Sequence, residues 1–431
     1  MFSILALLFT IFSAGVILAQ RPDAFQVSRD HPAIAYSTRP VDDAVSRLNP
    51  KIEKGEVRIV RDGSSGYLQS VLRALDVPVE SQVVVFSQTS SQAVRINPHN
   101  PRAVFFADSV AVGWVRGGAV LEVAAQDAEQ GVIFYSLDQQ DDTPRFKRND
   151  ECLACHLSWD TLAVPGLMIF STLPLPDDKN AYAVGFASNH TIPLEQRWGG
   201  WYVTGRPGSV QHQGNVFTAD ASSAASAPRS HELKNLEGQF DLDGYPTHFS
   251  DVVALMVLEH QAHMTNLLTR VGWESRLASF EERSETPPVP KRPSGRGDAA
   301  TRVRDAVRDL VDYLLFVDEA PLSGRIEGSS AFTETFSARG PRDHQGRSLR
   351  QLDLEQRLMR YPCSYMIYTP AFDALPASLK ETVYQRMWQV LSGQEKERRY
   401  ARLTLANRQA IVEILRDTKK GLPEYFQPVN R

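Results

Sequence analysis

Cysteine is scarce in this 431-residue sequence, with only three in the whole chain. Exported domains that depend on disulfides carry many more cysteines, so the chain is not a disulfide scaffold. Two of the three lie in one short motif, Cys152-Leu153-Ala154-Cys155-His156. The third, Cys363, stands alone, and we expect a buried, inert thiol there, with thiolate ligation of a metal as the alternative.

The sequence also lacks an excess of either charge and the common catalytic motifs. It has 47 Lys and Arg against 51 Asp and Glu, a net charge of −4. This balance predicts no nucleic-acid partner, because polyanion binders are strongly basic. Gly-rich phosphate loops after a strand, the serine nucleophile elbow and the H-E-x-x-H zinc motif are all missing. Hydrolase and nicotinamide chemistry therefore have no support.

Long apolar runs are missing after the first twenty residues, which carry no charged side chain. This opening stretch predicts a signal peptide over residues 1–19, cleaved after the small residue Ala19. The alternative is an uncleaved inner-membrane anchor over residues 2–19, a length near the lower limit for spanning a bilayer. We expect a periplasmic protein, which contacts the membrane only if the leader is retained.

Hydrophobic periodicity changes once along the chain. Short β-branched and aromatic runs before residue 240 predict antiparallel strands, whereas a helical period dominates afterwards. The sequence thus predicts an α+β protein, with a β-rich part over residues 20–240 that contains the cysteine motif. A mainly helical part follows over residues 241–431, with a Pro-rich linker at 283–298, although the helices could also pack onto the sheet in one core.

The expected elements follow from these periods. Predicted strands are Val83–Phe86, Ala103–Phe106, Val110–Val115, Ala119–Ala124, Val132–Leu137, Leu167–Leu173, Ala181–Ala187 and Trp201–Thr204. Predicted helices are Ser64–Ala74, Ser250–Val271, Ala299–Phe316, Leu352–Arg360, Ser378–Leu391 and Glu395–Thr418.

The cysteine motif has the C-x-x-C-H pattern of covalent c-type haem attachment. Two thiols three positions apart can form thioethers with the two haem vinyl groups, and His156 is then held next to the iron as its axial ligand. Attachment of this kind takes place outside the cytoplasm, which agrees with the leader. A redox dithiol and a zinc site are the alternatives, but the motif follows five predicted strands and no second ligand pair is present.

The sequence offers several candidates for the second axial ligand of the iron. His260 lies in the middle of an apolar stripe on the helix predicted over Ser250–Val271, which makes it our first candidate. A core histidine with a hydrogen bond is the alternative for this position. The other candidates are Met264, His263, His212 and His190, while Met168 lies only twelve residues beyond His156.

Aromatic residues, glycines and a cation are concentrated between Arg197 and Gly205. Arg197, Trp198 and Trp201 could provide a haem wall and a partner for a haem propionate. The alternative is that the two tryptophans pack in the core beside a Gly-Gly turn.

The run Glu151 to His156, the segment Gln196 to Gly205 and the triplet Glu259-His260-Gln261 together resemble a family of exported bacterial single-haem c-type cytochrome-like proteins of unassigned activity. The resemblance covers most of the mature chain. It implies one covalent haem and possible electron transfer, with Cys152 and Cys155 as thioether sites and His156 as an axial ligand. It implies no substrate.

The sequence therefore predicts an electron carrier that exchanges electrons with periplasmic or membrane redox proteins. The alternatives are a haem enzyme of the peroxidase or oxidase type and a haem-based sensor, both of which need an open iron site.

Overall fold

The computed structural model describes residues 28–172, 185–209, 211–217, 232–283 and 298–428. An antiparallel sheet region precedes a helical part, so the prediction of an α+β protein is confirmed. The predicted signal peptide and almost all of the Pro-rich linker lie outside the described residues. Within the described ranges, no helix is both long and apolar enough to cross a membrane.

The strands form a large sheet and a small hairpin. They are β1 (Val83–Val85), β2 (Arg102–Ala107), β3 (Val110–Trp114), β4 (Val120–Asp127), β5 (Gly131–Asp138), β6 (Phe146–Arg148), β7 (Ile169–Ser171), β8 (Phe186–Ser188) and β9 (Trp201–Tyr202). The seven-stranded sheet has the order β6-β5-β4-β3-β2-β1-β9, and all of its pairs are antiparallel. Strands β7 and β8 pair with each other.

Helices cover both faces of the sheet. They are α1 (Ala44–Glu53), α2 (Leu68–Ala74), α3 (Leu153–His156), α4 (Val252–Arg283), α5 (Ala299–Leu314), α6 (Phe332–Ala338), α7 (Pro370–Asp373), α8 (Ala377–Leu391) and α9 (Leu405–Thr418). A 3₁₀ turn over Asp150–Cys152 leads directly into α3.

Because side chains alternate along a strand, the two faces of the sheet belong to different cores. Phe105 of β2 shares one core with Leu68 of α2. Its neighbour Phe106 points the other way and shares the largest core with Leu255 of α4. That core joins strands before residue 240 to helices after it, so the β-rich and helical parts pack together across the expected boundary.

Helix α4 is the central element of the molecule. Asp251 caps its start by accepting hydrogen bonds from the backbone of Val253 at 2.7 Å and of Ala254 at 3.1 Å. Side chains on every side of its first half are buried, because the sheet lies on one side and other helices on the other. The predicted end at Val271 is too early, since the helix continues to Arg283.

The helix predicted over Leu352–Arg360 is wrong. The Asp353 side chain accepts hydrogen bonds from the backbone of Glu355 and Gln356 at 3.0 and 2.7 Å, and Leu354 has a φ of +62°. An Asp side chain that binds the backbone ahead of it favours a turn over a helix. The segment predicted as one helix over Glu395–Thr418 is instead a 3₁₀ helix over Arg398–Arg402 followed by α9 from Leu405, where Thr404 provides the cap.

Candidate functional site

A cavity of about 420 Å³ lies between the sheet and α4, next to the C-x-x-C-H motif. Most of the sheet residues that line it lie on one face, at alternate positions of neighbouring strands. These are Arg102 and Val104 on β2, Ala111 and Gly113 on β3, Glu122 and Ala124 on β4, and Phe134 on β5. Leu258 and Ala262 of α4 line the opposite side.

Small residues on the sheet create this space. Ala111, Gly113 and Ala124 occupy positions where the rest of the sheet carries large apolar side chains. A Cβ atom on Gly113 would come within 2.3 Å of the Arg102 guanidinium. Glycine is therefore required at position 113 for the arginine to lie across β3 and reach the cavity.

The motif forms one wall of the cavity. Asn149 stabilises the start of the 3₁₀ turn by accepting a hydrogen bond from the backbone of Glu151 at 3.1 Å. Cys152, Cys155 and His156 then line the cavity, and all three are half-buried. Both cysteines are free thiols, and burial raises the pKa of Cys152 to about 11. The structure thus brings together two free thiols and an imidazole at one cavity.

The His156 ring is held in one orientation. Its Nδ1 atom lies 2.9 Å from the carbonyl oxygen of Gly166, and the Phe134 ring packs against it with 4.7 Å between centroids. Because a carbonyl oxygen only accepts, Nδ1 carries the proton and donates. Burial also lowers the pKa of His156, which favours the neutral ring. Nε2 has no hydrogen-bond partner among the described residues, which leaves its lone pair available to a metal.

The loop that holds His156 is itself fixed by α4. Asn266 accepts a hydrogen bond from the Leu167 backbone N–H at 2.9 Å and donates to the Leu167 carbonyl at 2.7 Å. A Cβ on Gly166 would come within 2.1 Å of the Asn266 Oδ1 atom, so only glycine fits. Met168, which follows Leu167 in this loop, also lines the cavity.

Arg102 places a positive charge at the cavity. It pairs with Glu122 at 2.6 Å, while its buried Nε atom has no hydrogen-bond partner within the described ranges. Burial acts to raise the pKa of Glu122, but Arg102 and the hydroxyls of Ser90 and Ser91 lower it overall. Glu122 is therefore ionised, and the Nε–H of Arg102 has no acceptor among the described residues.

Only part of the aromatic segment belongs to the cavity. Trp201 lines it and donates its indole N–H to the Phe170 carbonyl at 2.8 Å. Arg197 and Trp198 do not line it. Arg197 instead pairs with Glu259 of α4 at 2.8 Å, and both side chains are almost fully buried. The structure therefore places Arg197 outside the cavity that the motif lines.

The structure does not bring His260 to the motif. Leu258 and Ala262 face the cavity, and the residue midway between them projects from the opposite side of the helix. The Nδ1 atom of His260 lies 2.9 Å from Nδ1 of His190, and its Nε2 atom lies 2.8 Å from the Ser364 hydroxyl. Burial lowers the pKa of His260 to about 3, so the ring is neutral.

The remaining sixth-ligand candidates also lie elsewhere. None of the residues His190, His212, His263 and Met264 lines the motif cavity. Met168 does line it, although the sequence argument set it aside for its closeness to His156. Arg102 was missed entirely. The signal for it was the alternation of small residues on β3 and β4, which leaves one face of the sheet unfilled.

The described ranges contain no group of three or more His, Cys, Asp and Glu side chains arranged to hold a bare metal ion. A haem does not need such a group, because the protein supplies only axial ligands and attachment points. The residues present fit a covalent haem in four respects: two thiols, a free imidazole nitrogen, an unpartnered guanidinium N–H and apolar walls.

Comparison of the chain with protein-family models, with curated proteins and with solved structures gives no match.

Proposed function

We propose that this protein is an exported c-type cytochrome that binds one covalent haem and transfers electrons. The observation that carries the proposal is the arrangement of His156, whose Nδ1 atom donates to Gly166 while the ring lines a cavity beside two free thiols. A metal-binding histidine commonly donates its second nitrogen to a backbone carbonyl in this way.

Each part of the cavity has a role in holding the haem. Cys152 and Cys155 would form the thioethers, and His156 would supply one axial ligand. The unpartnered Nε atom of Arg102 would donate to a propionate, since a charged hydrogen bond to a carboxylate is strong. Phe134 would pack beside the macrocycle. The haem supplies reversible one-electron chemistry at its iron.

The position of the motif supports electron exchange with a partner. Ala154 and Glu151 lie within or next to the motif and are exposed, so this wall of the cavity is at the protein surface. A periplasmic or membrane redox protein could approach there and exchange electrons. Export, which the apolar leader predicts, would bring the chain to the compartment where haem attachment takes place.

The second axial ligand of the iron distinguishes an electron carrier from a haem enzyme or a haem-based sensor. Among the cavity-lining residues that the structure describes, Met168 is the thioether side chain, and no second histidine is present. Methionine with histidine is a ligand pair found in electron-transferring cytochromes c. An iron without Met168 as its ligand would be open, as a peroxidase, oxidase or sensor requires.

Co-expression with a bacterial haem-maturation system tests the proposal. The intact mass of wild type should increase by one haem, and the protein should stain for haem after denaturing electrophoresis. The Cys152→Ser/Cys155→Ser variant should lose both signals, whereas Cys363→Ala should keep them because Cys363 is buried away from the cavity. A wild-type chain without covalent haem under these conditions would overturn the proposal.

A further inference from the structure

A second cavity, of about 260 Å³, lies where α4 and α5 meet the loop around His190. It shares no lining residue with the motif cavity. Leu162 and Leu267 give it apolar walls, and Tyr313 of α5 lies beside His190. Asp318 and Arg399, which are partly exposed, lie at its rim.

Two buried polar groups that line this cavity have unused hydrogen-bonding capacity. His190 is 2% exposed and Tyr313 is 6% exposed. In the part of the chain that the structure describes, the Nε2 atom of His190 has no hydrogen bond, and the Tyr313 hydroxyl accepts from the His190 backbone N–H but has no acceptor for its own proton. Buried polar groups are nearly always paired, since an unpaired one destabilises the fold. Two such groups at one cavity indicate that a ligand completes them.

A network of hydrogen bonds holds the His190 ring in place. Arg197 donates to the His190 carbonyl at 2.9 Å and is itself paired with Glu259. The Nδ1 atom of His190 lies 2.9 Å from that of His260, whose other nitrogen lies 2.8 Å from the Ser364 hydroxyl. This network fixes the Nδ1 side of the ring, while Nε2 has no hydrogen-bond partner among the described residues.

Two arginines and three aspartates line the cavity, and each of them is already in an ion pair. Burial, together with His260 and Arg197, lowers the pKa of His190 well below its usual value, so the ring is neutral at pH 7. The charged lining residues pair with one another, as in Arg399 with Asp312 at 3.1 Å and Arg270 with Asp309 at 3.4 Å. A charged ligand would lose its water without gaining a free counter-charge, so an uncharged one is favoured.

The volume limits the size of the ligand. A dry apolar cavity of about 150 Å³ is enough to hold a benzene ring. The second cavity is larger than that, and it combines leucine walls with two hydrogen-bonding groups. A single-ring molecule with one hydroxyl group matches both features.

We propose that this second cavity binds a small, uncharged, hydroxyl-bearing ring compound, with His190 Nε2 and the Tyr313 hydroxyl as its hydrogen-bond partners. The site is independent of the haem proposal, because it contains no residue of the motif cavity.

Phenol and cyclohexanol are suitable probes, with toluene as a control of similar size that has no hydroxyl group. Isothermal titration of the purified full-length protein should show saturable binding of at least one hydroxyl probe and at least tenfold weaker binding of toluene. Equal affinity for toluene, or no saturable binding of either hydroxyl probe, would overturn the proposal.

Tyr313→Phe locates the binding, because it removes only the hydroxyl. We expect it to weaken probe binding about tenfold, as the loss of one hydrogen bond predicts. Its melting temperature should fall less than that of the Tyr365→Phe control below, because the hydroxyl loses only its contact with the His190 backbone N–H. The matched control is Tyr365→Phe, whose hydroxyl donates to Gln261 at 2.8 Å and which should melt at a lower temperature with binding unchanged.

Two results would contradict this assignment. Probe binding that is unaffected by Tyr313→Phe would place the probe elsewhere. A fall in melting temperature as large as that of Tyr365→Phe would show that the Tyr313 hydroxyl donates to a structural partner instead of a ligand.

Discussion

The Nδ1 atom of His156 lies 2.9 Å from the carbonyl oxygen of Gly166. This contact joins the motif to a loop that Asn266 of α4 fixes through two hydrogen bonds to Leu167. The orientation of the candidate axial ligand therefore depends on a helix that begins about a hundred residues later in the chain. The connection also explains why the motif faces the cavity between the sheet and α4.

Asn266→Ala should weaken this connection. It leaves the backbone N–H and carbonyl of Leu167 without their partners, and unsatisfied buried groups cost about 1–3 kcal/mol. We expect the free energy of unfolding, measured by urea denaturation, to fall by that amount. Gln385→Ala is the matched control, since its amide binds Glu381 on an exposed helix face and its loss should cost less than about 0.5 kcal/mol. Equal effects of the two variants would contradict the prediction.

The sequence predicted the sheet well because its strands have strong local signals. β2 to β5 are β-branched or aromatic runs that end at turn residues, and each prediction overlaps the strand in the structure. Local patterns were sufficient for these elements because their neighbours in space are mainly their neighbours in sequence.

The partners of His260 and Arg197 could not be predicted in this way. α4 is buried between the sheet and other helices, so apolar residues surround it and no stripe identifies the side that faces the motif. Arg197 lies among aromatic residues, which is typical of an anion-binding segment. Its actual partner, Glu259, is 62 residues away and is brought to it only by the packing of α4.

Met168→Leu tests the second axial position, and it rests on the haem proposal. The haem-loaded variant should keep its covalent haem, because the cysteines are unchanged. If Met168 is the ligand, loss of its sulfur should convert a low-spin spectrum to a high-spin one and allow carbon monoxide to bind readily. Met264→Leu is the control, since Met264 is buried on α4 but does not line the cavity. A Met168→Leu spectrum identical to wild type would exclude Met168 as a ligand.

Arg197→Met should be strongly destabilising. It leaves Glu259 buried without a counter-charge, and breaking a buried ion pair in this way costs about 3–5 kcal/mol. The double variant Arg197→Met/Glu259→Leu should lose less than the single one, because it buries no uncompensated charge. Urea denaturation measures both.

The exposed pair of Arg206 with Glu327, at 3.0 Å, provides the control for this experiment. Arg206→Met should cost less than about 1 kcal/mol, as is usual for a pair at the surface. A double variant that is less stable than Arg197→Met would contradict the prediction. It would show that removing the Glu259 carboxylate costs more stability than removing its uncompensated charge restores.

His212 is 1% exposed, and we expect its titration to make the stability of the protein depend on pH. Burial lowers its pKa to about 4, whereas the unfolded chain has a value of about 6.5. The unfolded state therefore binds more protons between these values, so the contribution of His212 to stability is present above pH 6.5 and is lost as the pH falls towards 4. Between pH 7.5 and 5.0 this loss amounts to about 2 kcal/mol.

Other groups titrate in the same range, so the prediction is a difference between variants. Burial raises the pKa of Glu319 to about 7, which opposes the effect of His212. Urea denaturation at both pH values should show a smaller loss on acidification for His212→Gln than for wild type, by about 2 kcal/mol. His344 is the control, because Asp417 raises its pKa and its charged form stabilises the folded state at low pH. His344→Gln should thus increase the loss of stability on acidification. A His212→Gln variant that loses as much stability as wild type between pH 7.5 and 5.0 would contradict the prediction, because it would show that His212 is protonated in the folded state at pH 5.0.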